Sequence, residues 1–141
     1  AYTLGLMAHE INHFWLPGVF RITDEWSWCW EGFTEYQAWR VLQDLGVISE
    51  VDYYAELLKG FRKYQGLKLK SEVSLVEASN RNFDLNPEYS ALIYGKGMLL
   101  ADFLEDQLLK AGKSFNGLMA ALFQEFTANR LSRSCRLSLF P

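Results

Sequence analysis

The sequence predicts a mainly α-helical domain of about five helices with little or no sheet. Two observations carry this reading. Apolar residues recur at three- and four-residue spacing in separate segments, and capping or stop signals bracket those segments. The chain has 141 residues, the size of one domain, and is 50% apolar and 16% aromatic, enough for one real core. The pattern fits either an all-α domain or the helical lobe of a larger α+β domain.

Each element has a local reason. Over residues 3–15, Leu4, Met7, Ile11 and Phe14 line one stripe with Leu6 beside it, and the Leu-Pro-Gly run at 16–18 stops the helix. A loop is expected over 17–27. Residues 28–45 read as helical, with Gly46 as a C-terminal cap. Ser49 and Asp52 fit a capping box that opens a helix to about Tyr64. A polar connector is expected over roughly 66–87, in which 72–78 reads as a short strand or a helical turn. Met98, Leu99, Phe103, Leu104 and Leu108 mark a helix from about Tyr94 to Lys110, ended by Gly112. Ser114 caps a last helix to about Asn129, with Phe115, Leu118, Met119, Leu122, Phe123 and Phe126 apolar.

Composition excludes several function classes. The formal net charge is −3, from 14 basic and 17 acidic side chains, which gives no electrostatic reason to expect nucleic acid or an anionic membrane surface. The basic stretch Lys59–Lys70 and the arginines Arg130, Arg133 and Arg136 read as solvated surface. Cys29 and Cys135 are too few for a disulfide framework, and no C-x-x-C pattern exists. No apolar run is long enough to cross a membrane, and no signal segment opens the chain. It begins at Ala1, just before a helical pattern, and its last ten residues form no clear element, so both ends read as cut. The expectation is a piece of a longer protein, with its compartment left open.

The stretch Met7–Trp15, MAHEINHFW, carries the chemistry. His9 and His13 are four residues apart, so on a helix they lie one above the other, about 6 Å apart along the axis. Two such imidazoles can point at one ion. Zinc accepts neutral imidazole nitrogen and carboxylate oxygen, and a catalytic site keeps one place for water. Glu10 can reach that water rather than the metal, which is the physical content of H-E-x-x-H. With two histidines in the chain, this arrangement arises by chance roughly once in a thousand placements. No third histidine exists, so a third ligand must be a carboxylate or Cys29. The segment WCWEGFTEY offers Glu31 and Glu35 one turn apart on one face. One could complete a two-histidine, one-carboxylate set, and the other could hydrogen-bond the free N–H of a ligating imidazole. Spacing alone does not rank them.

HEINHFW followed by WCWEGFTEY resembles the gluzincin zinc metallopeptidases, in particular the aminopeptidase N and glycyl aminopeptidase group. That resemblance covers roughly Leu4 to Phe126. It implies the helical half of a thermolysin-like catalytic domain, with His9, His13 and Glu31 binding zinc and Glu10 as catalytic base. Trp28, Glu31 and Gly32 match the family's W-x-x-E-G, and Glu35 falls one turn on, where such enzymes can carry an acid behind a metal ligand. A later segment, EYSALIYGKGMLLADFLE, is similar to the family's Y-x-K-G opening of a helix, which implies that Tyr94 stabilises the oxyanion. Tyr89 sits near the same expected rim and receives no role.

The resemblance has departures. Residues 14–30 between the second histidine and Glu31 are one fewer than the family's usual spacing, and Trp30 replaces a usually polar residue. The G-x-M-E-N element that recognises a substrate's amino terminus lies upstream of H-E-x-x-H in the family, and nothing here matches it. The expected activity is zinc-dependent peptide hydrolysis, most simply by an aminopeptidase acting on a peptide substrate, with the isolated piece inactive without its upstream part and prone to self-association through an uncovered face of the 3–15 helix. The rival reading is a non-catalytic helical binding module, with or without a metal. A bound zinc with an open coordination place separates the first from the second.

Overall fold

A computed structural model describes residues 2–14, 26–81 and 86–137. The expected loop over 17–27 lies almost entirely outside the described residues, as does the Leu-Pro-Gly stop at 16–18. Among the described residues six helices follow one another: α1 (Tyr2–Asn12), α2 (Ser27–Asp44), α3 (Glu50–Gly66), α4 (Leu75–Asn80), α5 (Pro87–Lys110) and α6 (Phe115–Leu137). A 3-10 turn, Leu69–Ser71, joins α3 to α4, and no strand occurs among the described residues. The mainly helical fold expected from periodicity is therefore the one observed.

Local chemistry explains where the helices begin and end. Gly46 and Gly112 adopt positive φ of 68° and 69°, a conformation that glycine reaches without a Cβ clash, and they close α2 and α5. Ser49 accepts from the Asp52 N–H at 3.1 Å while Asp52 accepts from the Ser49 N–H at 3.2 Å, a complete capping box for α3. Ser114 Oγ accepts from the Gly117 N–H at 3.0 Å and starts α6.

Three boundaries differ from the sequence expectation. The connector contains α4, because Ser74 Oγ caps the Glu77 N–H at 3.0 Å and commits 75–80 to a helical turn rather than a strand. Helix α5 starts at Pro87, seven residues before Tyr94: Asn86 caps the Glu88 N–H at 3.0 Å and Pro87 occupies the first turn, where its missing N–H costs nothing. Tyr94 consequently lies two turns inside a helix rather than at its opening. Helix α6 continues to Leu137, beyond Asn129.

Helix α5 is the hub, packed against α2, α3, α4 and α6, while α1 rests on α2. The main core gathers Phe33, Tyr36, Trp39, Tyr53, Met98 and Phe115 between α2, α3, α5 and α6. Inside it the Tyr36 hydroxyl donates to the Glu105 carboxylate, which gives that buried acid a partner. A second cluster around Val73, Ala78, Tyr89, Leu92 and Ile93 seats α4 on α5. Tyr89, expected near the rim of the site, is buried there beneath the Arg81 guanidinium, 4.5 Å from its ring.

Helices α2 and α5 meet backbone to backbone at two glycines. A Cβ on Gly32 would lie 2.4 Å from Gly97 Cα, and one on Gly97 would lie 2.5 Å from Trp28 O. Both helices must present bare backbone at that point. Gly32 follows Glu31, and Gly97 lies one turn after Tyr94, so this contact sets how near those two side chains come.

Candidate metal centre

The site grows from two helix faces in register. Gly5, His9 and His13 recur at four-residue intervals on α1 and the turn that ends it. Glu31, Glu35 and Trp39 do the same on α2. Packed antiparallel, the two rows meet rung by rung: His13 against Glu31, His9 against Glu31 and Glu35, Gly5 against Trp39. A Cβ on Gly5 would lie 2.3 Å from the Trp39 ring, so the glycine lets the indole slide under α1. His13 follows the last helical residue, and its N–H still bonds to His9 O at 3.2 Å.

Three ligand-type atoms converge. His13 Nε2 is 2.9 Å from His9 Nε2. Glu31 Oε2 is 3.2 Å from His9 Nε2 and 3.3 Å from His13 Nε2. The rings meet edge to face, with centroids 4.6 Å apart and planes at 85°. A tetrahedral zinc with bonds near 2.0–2.1 Å spaces its ligand atoms about 3.3 Å apart. The three observed separations match that spacing to a few tenths of an ångström. Two imidazole nitrogens and a carboxylate oxygen also form a donor set that zinc accepts. The residues present therefore fit the ion.

Glu35 meets the other side of the first imidazole. Its Oε2 lies 3.0 Å from His9 Nδ1, within ion-pair distance although out of line for a strict hydrogen bond. Its Oε1 accepts the Trp39 indole N–H at 2.8 Å. Spacing could not rank the two carboxylates, and geometry separates them by the nitrogen each one meets. Cys29 is not among the converging groups, and burial lifts its thiol to about 11.

Charge at the centre is concentrated on His9. Burial alone would depress its pKa, but close contacts with Glu31 and Glu35 and the charges of both acids outweigh burial and lift it to about 9. Glu31 shows the mirror image. Burial would raise its pKa, yet its contacts with His9 and Tyr94 and the charges of both histidines hold it below the ordinary carboxylate value.

Tyr94 approaches from α5. Its hydroxyl faces the Glu31 carboxylate, and its ring centroid is 5.8 Å from that of His9. Burial first, then Glu31 and the charges of Glu35 and Glu10, push the phenol well above its usual value, so it stays protonated. Glu10, His9, Glu35 and Tyr94 line one cleft of about 360 Å³ with Gly5 and Lys63. A neighbouring cleft of about 390 Å³ shares Glu35, Trp39, Lys63 and Tyr94 and runs on to Met98 and Gly60. His9, Glu10, His13, Glu31, Glu35 and Tyr94 thus lie at one place, apart from Cys29 and Tyr89. Trp39 and Lys63 were not singled out. For Trp39 the signal was available, since it continues the four-residue spacing from Glu31 through Glu35. For Lys63 none was, because α3 reaches the cleft only through tertiary packing.

The Peptidase family M1 domain profile matches residues 2–135, nearly the whole chain. Neither a curated protein nor a solved structure matches significantly. The profile match, with a helical fold that gathers the histidine pair and a carboxylate, identifies the chain as belonging to peptidase family M1.

Proposed function

We propose that this chain carries the catalytic zinc centre of an aminopeptidase-type metallopeptidase. The observation that supports it most is the convergence of His9, His13 and Glu31 donor atoms at 2.9–3.3 Å beside a cleft that also holds Glu10 and Tyr94. In this reading His9, His13 and Glu31 hold the ion, and Glu35 orients the His9 ring from its far nitrogen. Zinc bound there supplies Lewis-acid polarisation of a peptide carbonyl and makes a water acidic enough to attack near neutral pH. Glu10, next to the first ligand on the cleft wall, takes the proton of the attacking water and returns it to the leaving amine. Tyr94, kept protonated, donates a hydrogen bond to the developing oxyanion. The aminopeptidase direction rests on the likeness of HEINHFW and WCWEGFTEY to that group.

Glu10→Gln tests the assignment. It keeps the shape of the side chain and removes its basicity, so zinc stays bound at one equivalent while peptide turnover in the complete enzyme falls about 10²–10⁴-fold. Parent-level hydrolysis by that variant contradicts the assigned base.

A further inference from the structure

The row of side chains on α2 does not stop at the two acids. Its third member, Trp39, is 6% exposed and touches the site in two ways. Its indole N–H donates to Glu35 Oε1 at 2.8 Å, while Glu35 Oε2 faces His9 Nδ1 at 3.0 Å. Its ring lies against α1 at Gly5, one helical turn before His9 on the same face. A carboxylate 30% exposed at its side chain would otherwise swing between solvent and the imidazole. With one oxygen tied to a buried indole, the other is held toward His9. A phenylalanine in place of Trp39 would lose the donor together with part of the ring that packs on Gly5, so the donor must be separated from packing by a comparison of backgrounds.

We infer that Trp39 is a positioning residue for the metal centre: its indole N–H fixes Glu35, and Glu35 in turn fixes the orientation and tautomer of His9. The inference rests on the zinc-site reading above and extends it one residue deeper. Trp39 touches neither the ion nor the reacting atoms. It acts on how well His9 is preorganised to bind.

The test is zinc affinity, measured by chelator competition on the parent, Trp39→Phe, Glu35→Ala and the double variant. Trp39→Phe is expected to weaken zinc binding about three- to tenfold, less than the 10–100-fold typical of groups in direct contact with a ligand. In the Glu35→Ala background the same change should cost clearly less, because the indole then has no carboxylate to hold and only its packing on Gly5 is lost. An equal loss in both backgrounds would reduce Trp39 to packing and overturn the inference, as would parent-like affinity in Trp39→Phe. Should Trp39→Phe not fold, the indole N–H resonances of the parent decide. One slowly exchanging indole that shifts on zinc addition and loses protection in Glu35→Ala supports the relay, and indoles indifferent to both overturn it. A parent that binds no zinc removes the metal reading itself, which is a different result from a parent that binds zinc and a variant that binds it equally well.

Discussion

His9 carries opposed demands. A metal needs its imidazole neutral, while Glu31 and Glu35 favour its protonated form and hold its pKa near 9 without metal. This fixes a pH dependence for the metal-free chain. The folded-state pKa is above the ordinary 6.5, so the contribution of this cluster to stability is fully present below pH 6.5 and is lost as pH rises through about 9. Glu31, held below its ordinary value, contributes above that value and loses its contribution as pH falls. Thermal melting of metal-free protein should therefore show Tm declining between pH 6.5 and 9, and His9→Ala should flatten that decline. A Tm constant over this range in the parent contradicts the coupling. At this scale the sequence was most legible: H-E-x-x-H names His9, Glu10 and His13 because helical spacing alone brings the imidazoles together. Spacing leaves Glu31 and Glu35 unranked; the W-x-x-E-G resemblance names Glu31, and which imidazole nitrogen each acid meets depends on the register of α2 against α1.

At the scale of elements, the contact of Gly32 with Gly97 governs the site. A methyl group on Gly97 would meet the Trp28 carbonyl and Gly32 Cα at 2.5 and 2.9 Å, both backbone atoms that cannot turn aside. Gly97→Ala should cost about 1–3 kcal/mol of stability by urea unfolding and weaken zinc binding as α5 and Tyr94 move off α2. Gly95→Ala, in the same helix, meets only Gly60 O at 3.5 Å and Tyr64 Cβ at 3.7 Å, ordinary contacts. It should be neutral or stabilising by about 0.5–1 kcal/mol, from better helix propensity. Equal behaviour of the two variants contradicts the packing account. The helices were legible where caps are written in the sequence, as at Ser49, Gly46 and Ser114. Asn86-Pro87 and Ser74 with Glu77 are equally good start signals. Their polar surroundings read as a connector, and the apolar residues alone put the start of α5 two turns late.

At the scale of the whole molecule, α1 presents its two faces very differently. Gly5 and His9 are buried against α2, whereas Leu4, Met7, Ile11 and Phe14 are 44%, 57%, 57% and 80% exposed. The periodicity that identified this helix came from the apolar stripe, and the stripe faces away from the described core. Such a contiguous apolar surface favours association. The average mass by light scattering should rise with protein concentration, and Met7→Lys with Ile11→Lys should reduce that rise without loss of helicity. A concentration-independent monomer contradicts this. Zinc binding by the folded state alone should in turn raise stability by about 2.7 kcal/mol at a hundredfold excess over Kd, and a chelator should reverse the gain. The central claim is the identity of the ligands, which zinc K-edge X-ray absorption on the stoichiometrically loaded chain reads directly. The account predicts two imidazoles with oxygen ligands at about 2.0–2.2 Å and no sulfur, the imidazole signature being lost in His9→Ala with His13→Ala. A sulfur ligand near 2.3 Å, or a spectrum of hydrated ion unchanged by those substitutions, would contradict it.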